Sequence, residues 1–430
     1  NRGGTNNGGI FIQDAQWELG LVPTEIISSN GSAGTAGIKE DEPRFDYPVA
    51  GGAPSLLLEP ERTNLMEHSE YMASYDFSTS RVNVTSNHGI SPEGVKNSTL
   101  VSNTTETGNK RLYGSNAFSV TSGTSYTASV FAKKGTLKKI SMEILASSES
   151  AIGFDEAMFD LDAGTVSYIH GSSSTSDALI EDFGNGWFRC SITDAPTSTE
   201  SSARLYIYFL PDDATTAGDK NYTGSTSENV ELFGAQVEEG PYASSYIPTH
   251  GTAATRSGEG EAVDTLKATL PTALNGASAY TLFMDLTVTD LEEETDFRDV
   301  VVFKDSSSAS TKYAFKLETF TDSGTSSLRG FVYKTADPNA VASNAHDIIA
   351  IGSRCKLAVV VNSASGVKYF YNGSSTPIMN YSEATTYESV DSIQGAEHNI
   401  PGTRSRTRIH AIHGYPSALS DAQCISLTTL

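Results

Sequence analysis

The chain has 430 residues, 38% of them hydrophobic and 19% charged, and Lys+Arg 29 against Asp+Glu 52 gives a net charge of −23. That length calls for two or three compact units, and so negative a charge argues against wrapping nucleic acid or adhering to anionic membranes. No apolar run approaches the roughly 18–20 residues of a membrane helix.

The three cysteines, Cys190, Cys355 and Cys424, are too few and too far apart for a disulfide framework or a zinc site, so three buried thiols are expected. Abundant Ser and Thr, with 19 Tyr and 18 Phe, favour strands and turns over helices. The chain starts at Asn1 rather than Met and shows no signal peptide, so upstream sequence is expected.

Residues 1–63 contain Gly-rich (NRGGTNNGG) and Pro-containing stretches, with GIFIQ (9–13) and SLLLE (55–59) as the main apolar runs. The segment reads as an extended connector that needs a partner surface, because it cannot bury a core alone.

From 64 to about 250 the pattern is all-β. SYTASVFAKK (125–134) places Tyr126, Ala128, Val130 and Ala132 on one face and Thr127, Ser129 and Phe131 on the other. FDLDAGTVSYI (159–169) reads as two short strands around a turn, and GNGWFRCSIT (184–193) as a turn running into a strand. In ARLYIYFLP (203–211), Leu205, Ile207 and Phe209 alternate with Arg204, Tyr206 and Tyr208. Short strands punctuated by turns, with no long helical period, predict a β-sandwich.

Residues 251–262 (GTAATRSGEGEA) read as a linker. A second all-β unit follows over 263–430, with strands predicted at 279–290, 299–305, 313–320, 328–335, 355–362, 366–374 and 408–415. Ser-Ala-Ser-Gly between 362 and 367 reads as a hairpin. Ser420 is placed to cap one short closing helix from Asp421. The predicted fold class is all-β: two consecutive antiparallel jelly-roll-type sandwiches behind an extended N-terminal segment.

PSLLLEPERTNLMEHSE (54–70), SVTSGTSYTASVFAKKG (119–135), FDLDAGTV, GNGWFRCSIT and GAQVEEGPYASSYIPTHGTAATR (234–256) together resemble a carbohydrate-binding-module-like jelly roll of bacteriophage tail-fibre and other virion-associated proteins. The C-terminal half is similar to concanavalin A-like (laminin G-like) sandwiches, through LAVVVNSASGVKYFYNGS and IHAIHGYPSALSDAQCISL. The resemblance implies that 234–256 is the last strand of the first sandwich and its exit. At an offset of 220 positions, 14–36 repeats Ala235, Gln236, Glu238, Gly240, Ile247, Gly251 and Thr255 of that stretch, and reads as a degenerate copy of the same joint.

No nucleophile elbow, phosphate loop, metalloprotease helix or zinc-finger spacing occurs. Paired carboxylates on one strand would signal a retaining glycosidase. The nearest stretch, DLEEETD, reads instead as a solvated acidic loop. No cofactor is required. Hard oxygen ligands suit Ca²⁺, and Asp290, Glu292, Glu294 and Asp296 of the same loop are its candidate ligands.

Sugar binding needs a flat apolar face beside hydrogen-bonding groups, and Tyr206 and Tyr208 flanked by Arg204 form the best such pattern. The alternative is that this face packs against another layer, protomer or the N-terminal segment. Trp187 is expected to plug the core.

The resemblance implies a non-enzymatic adhesion protein of the virion surface or tail fibre, extracellular in location, that recognises a host surface glycan. It also implies other virion proteins as partners and a homo-oligomer, a trimer by analogy, with no membrane insertion. Two readings stand beside it: a structural assembly or decoration protein, and a polysaccharide-degrading enzyme using the concanavalin A-like domain.

Overall fold

The computed structural model describes residues 45–46, 53–59, 61–73, 77–170, 177–256, 267–269, 274, 276–288, 298–304, 313–322, 325–335, 337–340, 353–388, 390–395 and 407–430. Among these, thirty strands are joined by one helix, Asp421–Thr428. Two β-sandwiches result, each with its own buried core, and the all-β expectation holds.

One sheet of the first sandwich runs in the order Asp177–Asp182, Trp187–Asp194, Tyr126–Lys134, Asn229–Glu239, Thr99–Asn103, Val82–Thr85. The facing sheet runs Thr165–His170, Glu156–Asp160, Lys139–Ala146, Glu200–Leu210, Arg111–Gly114, Phe77–Ser80, with Phe118–Val120 also paired to Glu200–Leu210. Every one of these pairings is antiparallel. Tyr126, Ala128, Val130 and Ala132 meet Leu205, Ile207 and Phe209 in the shared core, as their alternation requires.

The second sandwich holds the remaining large sheets. One runs Phe45–Asp46, Ser55–Leu58, Thr407–Tyr415, Ala279–Val288, Arg354–Asn362, Gly366–Tyr371, Met379–Tyr381. The other runs Lys267–Thr269, Ser392–Gly395, Arg298–Lys304, Tyr313–Asp322, Thr325–Lys334, Asp337–Ala340. The hairpin between Arg354–Asn362 and Gly366–Tyr371 forms where Ser-Ala-Ser-Gly placed it. The helix is closed by a capping box, Gln423 N donating to Ser420 Oγ and Ser420 N to Gln423 Oε1.

Strands Phe45–Asp46 and Ser55–Leu58 precede the first sandwich in the chain, yet they pair into the second: Leu56 lies opposite Ile409 and Leu58 opposite Thr407. In chain order the first sandwich therefore sits between two contributions to the second. Strand Arg62–Asn64 then pairs with Ala254–Arg256, so the entry to and exit from the first sandwich lie side by side.

A buried polar clasp holds that crossing. Asn64 Nδ2 donates to the carbonyls of Ile247 at 2.8 Å and Ala235 at 3.3 Å, while its Oδ1 accepts from Met66 N and Val237 N. Thr249 and Ser69 exchange hydrogen bonds at 2.8 Å in both directions. Gly234 takes φ 60 within its strand, and a Cβ there would lie 3.0 Å from Tyr246 and 3.1 Å from Phe131, so a side chain at this position would be strained and would push on both rings. All three cysteines are buried and free. The proposed copy of this joint, 14–36, lies outside the described residues.

Candidate functional site

The site is built on the outer face of the sheet whose inner face carries Leu205, Ile207 and Phe209. Side chains alternate along Glu200–Leu210, so Arg204, Tyr206 and Tyr208 point the other way. Antiparallel register sets their neighbours. Tyr206 lies between Glu143 and Tyr113, Tyr208 between Ser141 and Arg111, and Arg204 opposite Leu145.

That register makes an aromatic ladder. Tyr113 and Tyr206 stack with ring centroids 5.0 Å apart and planes 13° from parallel. Tyr206 and Tyr208 continue it at 6.3 Å and 17°. The Arg111 guanidinium sits 5.3 Å from the Tyr113 centroid and 5.5 Å from that of Tyr206. Lys220 Nζ lies 3.8 Å from the centre of Tyr208. Such cation–π contacts strengthen where water is excluded.

The expectation of an open Tyr206/Tyr208 platform needs correction. Tyr206 is 1% exposed and Tyr208 3%. Alternation along a strand tells which face a side chain takes, and leaves unsaid what covers that face. Here the cover is the turn after the strand: Ala214 and Ala217 pack with Leu145, Met158, Tyr206, Tyr208 and Leu210 in a small outer core. Lys139 Nζ ties the turn down through the Ala214 carbonyl at 2.6 Å. The half-buried side chains at the margin are Tyr113, Tyr168 and Arg204.

Three acids on this face are each engaged. Glu149 stands at φ 63, a left-handed turn conformation unusual for a non-glycine residue, and its carboxylate crosses to Arg111. The pair is bidentate, at 2.7 and 2.5 Å, and it holds the Glu149 carboxyl below its usual range. Lys220 Nζ reaches Glu143 Oε1 and Glu156 Oε2, both at 2.9 Å. Glu156 also accepts from Ser141 Oγ at 2.6 Å. Burial, followed by the neighbouring Glu143 charge, pushes the Glu156 carboxyl up to about 7. Burial likewise raises the phenols of Tyr206 and Tyr208, so both stay neutral.

Arg204 stands apart from this pairing. Among the described residues it makes no hydrogen bond or ion pair, and its Nε is buried without a partner. The residues that sequence reasoning missed are Tyr113, Arg111, Glu143, Glu149 and Lys220. RLYG (111–114) did carry a signal, with Arg111 and Tyr113 alternating around Leu112. Four residues are too short to name a strand partner, so the stack could not be read from them.

Asp290, Glu292, Glu294 and Asp296 lie outside the described residues. Among those described, no group of three or more His, Cys, Asp or Glu side chains is placed to hold a metal ion. Trp187 is buried as expected, although in an outer cluster with Phe131 and Phe233 rather than the main core, and its Nε1 donates to the Ile90 carbonyl at 3.0 Å.

No protein-family model matches the chain, and no curated protein matches it. Solved structures with local similarity include botulinum neurotoxin type C, in a study of its cell entry through two ganglioside molecules (14% identity, 40% of each chain, TM-score 0.26). A heptameric SAP-like pentraxin from Limulus polyphemus matches at 14% identity over 37% of this chain and 73% of its own, with TM-score 0.27. The binding domain of Paraclostridial Mosquitocidal Protein 1 matches at 14% identity over 41% of this chain and 43% of its own, with TM-score 0.30. The chain spans about two-fifths of the neurotoxin and mosquitocidal chains, and overlaps this slight carry no functional argument.

Proposed function

We propose that this chain is a non-catalytic glycan-recognition protein, an adhesion component of a virion surface or tail fibre that meets host-cell glycans through the first sandwich. The observation that carries the reading is the stacked Tyr113–Tyr206 pair, with Arg111 over both rings and Arg204 beside them. Tyr113 is the ring with an accessible side, and the buried members of the ladder hold it rigid. Rigid aromatic surface next to guanidinium and hydroxyl groups suits the C–H face and hydroxyls of a pyranose. Ser78 and Ser115, bonded to each other at 2.9 Å, extend the polar rim, since Ser78 pairs with Tyr113 across the adjoining strands.

A single shallow site of this kind binds weakly, and repetition in a homo-oligomer, here taken as a trimer, multiplies it through avidity. Other virion proteins are the proposed assembly partners. Calcium bound by the 290–296 acids would be an additional, separable feature.

A broad array of bacterial and marine glycans, probed with and without EDTA and assayed in parallel for released reducing ends, tests the reading. Binding without cleavage, lost in Tyr113→Ala, is expected. Cleavage would replace the reading with an enzyme, and silence on the host's own surface glycans would favour an assembly role. Light scattering at micromolar concentration that reports a monomer would remove the oligomer.

A further inference from the structure

We propose that the saccharide taken by this face is anionic, its carboxylate or sulfate gripped by the Arg204 guanidinium while a sugar ring packs on Tyr113. The inference rests on the reading of the face as a glycan site and adds the chemical class of ligand.

Charge pairing on this face singles out Arg204. The chain carries 52 acids against 29 bases, so an arginine has many acids to choose among. On this face each acid is already committed. Glu149 is held by both terminal nitrogens of Arg111, and Glu143 and Glu156 share Lys220. Glu200, on the same strand as Arg204, accepts from both the backbone and the hydroxyl of Ser202. Arg204 alone among these cations has no counter-charge within the described residues, although it is half-buried and its Nε is removed from water. A planar five-donor guanidinium matches the two oxygens of a carboxylate or sulfate better than a lone hydroxyl does.

Position supports the assignment. Arg204 and Tyr206 stand two residues apart on one strand and therefore share a face, and Tyr206 carries Tyr113 stacked upon it. The Tyr113 phenol makes no hydrogen bond among the described residues, which leaves it free to meet a sugar hydroxyl. A neutral sugar could use the ring and would leave the guanidinium idle.

Affinities for size-matched oligosaccharides test the proposal: a polyuronate, a sulfated galactan and a neutral glucan, each measured by calorimetry from 20 to about 500 mM NaCl, a range over which screening changes several-fold. The full chain is used, with Arg204→Gln, Arg204→Lys and Tyr113→Ala. The expected result is preference for the uronate or the sulfate, weakened by salt. Arg204→Gln should reduce that affinity roughly 10- to 100-fold, as loss of a charged hydrogen-bonded contact does, with Arg204→Lys between. The relative losses for uronate and sulfate identify which anion the site takes.

Equal binding of neutral and anionic sugars, or indifference to both Arg204 variants, would overturn the inference while a Tyr113→Ala loss kept the glycan site standing. No binding of any charge class, or binding unmoved by Tyr113→Ala, would sink the glycan site and this inference with it. Should Arg204→Gln fail to fold, the salt dependence and Arg204→Lys still decide between these outcomes.

Discussion

The Glu238 carboxylate is fully buried and closes on Ser244, accepting its backbone N–H at 2.8 Å and its hydroxyl at 2.6 Å. Gln236 Nε2 donates to the same group at 2.6 Å, and Arg62 Nε stands 3.9 Å away. These contacts fold the end of strand Asn229–Glu239 back onto the entry strand, next to the Arg256–Glu59 pair at 3.4 Å. The joint is therefore held by polar groups that are themselves buried, where partnering is strong and its loss costly.

Glu238→Ala should accordingly destabilise the protein by about 3–5 kcal/mol, the usual cost of removing one partner from a buried charge pair. Denaturant unfolding checks this. A loss below about 1 kcal/mol would mean the carboxylate is stabilised no better than a surface one.

Glu70 provides a pH signature at the same joint. Burial, then the charge of Glu93, lifts its carboxyl from 4.5 to about 7, against the lowering effect of hydrogen bonds from Tyr246 and Asn97. The folded state thus holds this proton more tightly than the unfolded chain does. The resulting stabilisation is complete below about pH 4.5 and is lost as pH rises through about 7. The melting temperature should fall between pH 5.5 and pH 8, and Glu70→Gln should flatten that fall. An unchanged slope in the variant would assign the effect to another group.

The strands were largely legible because alternation and turn residues are local. Leu205, Ile207 and Phe209 define a core face in any sandwich, and Ser420 with Gln423 announces a helix start within four residues. What could not be read is what returns over a face from far along the chain. Tyr206 and Tyr208 were placed on the correct side of their strand, but Ala214, Ala217 and Lys220 cover them. Leu56 pairing with Ile409 spans more than three hundred residues and has no local mark at all. The candidate site is visible from sequence only as Arg204 and its two tyrosines, since Tyr113 reaches it through sheet register alone.

Lys220 is 2.9 Å from both Glu143 and Glu156, so removing it leaves two buried-side acids facing each other. Lys220→Met should cost about 3 kcal/mol at alkaline pH, in the range for a broken buried pair. The cost should shrink below about pH 6, where Glu156, already raised to about 7, takes up a proton and no longer needs the cation. Unfolding free energies of both proteins at pH 5.5 and pH 8.5 provide the check. A loss independent of pH would show that the lysine acts by packing on Tyr208 rather than by charge.

The tyrosine ladder separates binding from scaffold. Tyr206 is buried between Tyr113, Glu143 and the outer core, so Tyr206→Ala should cost about 3–5 kcal/mol, as large aromatic truncations in cores do. Tyr113 is half-buried at the margin and gives up less area, so Tyr113→Ala should cost about 1 kcal/mol, close to the typical value for a single substitution. Glycan affinity should fall with Tyr113→Ala while that variant still melts near the wild-type temperature. Tyr208→Phe supplies the control: it keeps the ring beneath Lys220 and removes a buried, neutral phenol together with its contacts to Glu143 and Arg111, leaving the Tyr113 ring in place. If Tyr208→Phe weakened binding as much as Tyr113→Ala did, the ligand would have to lie under the 211–220 turn, and the accessible Tyr113 face would not be the site.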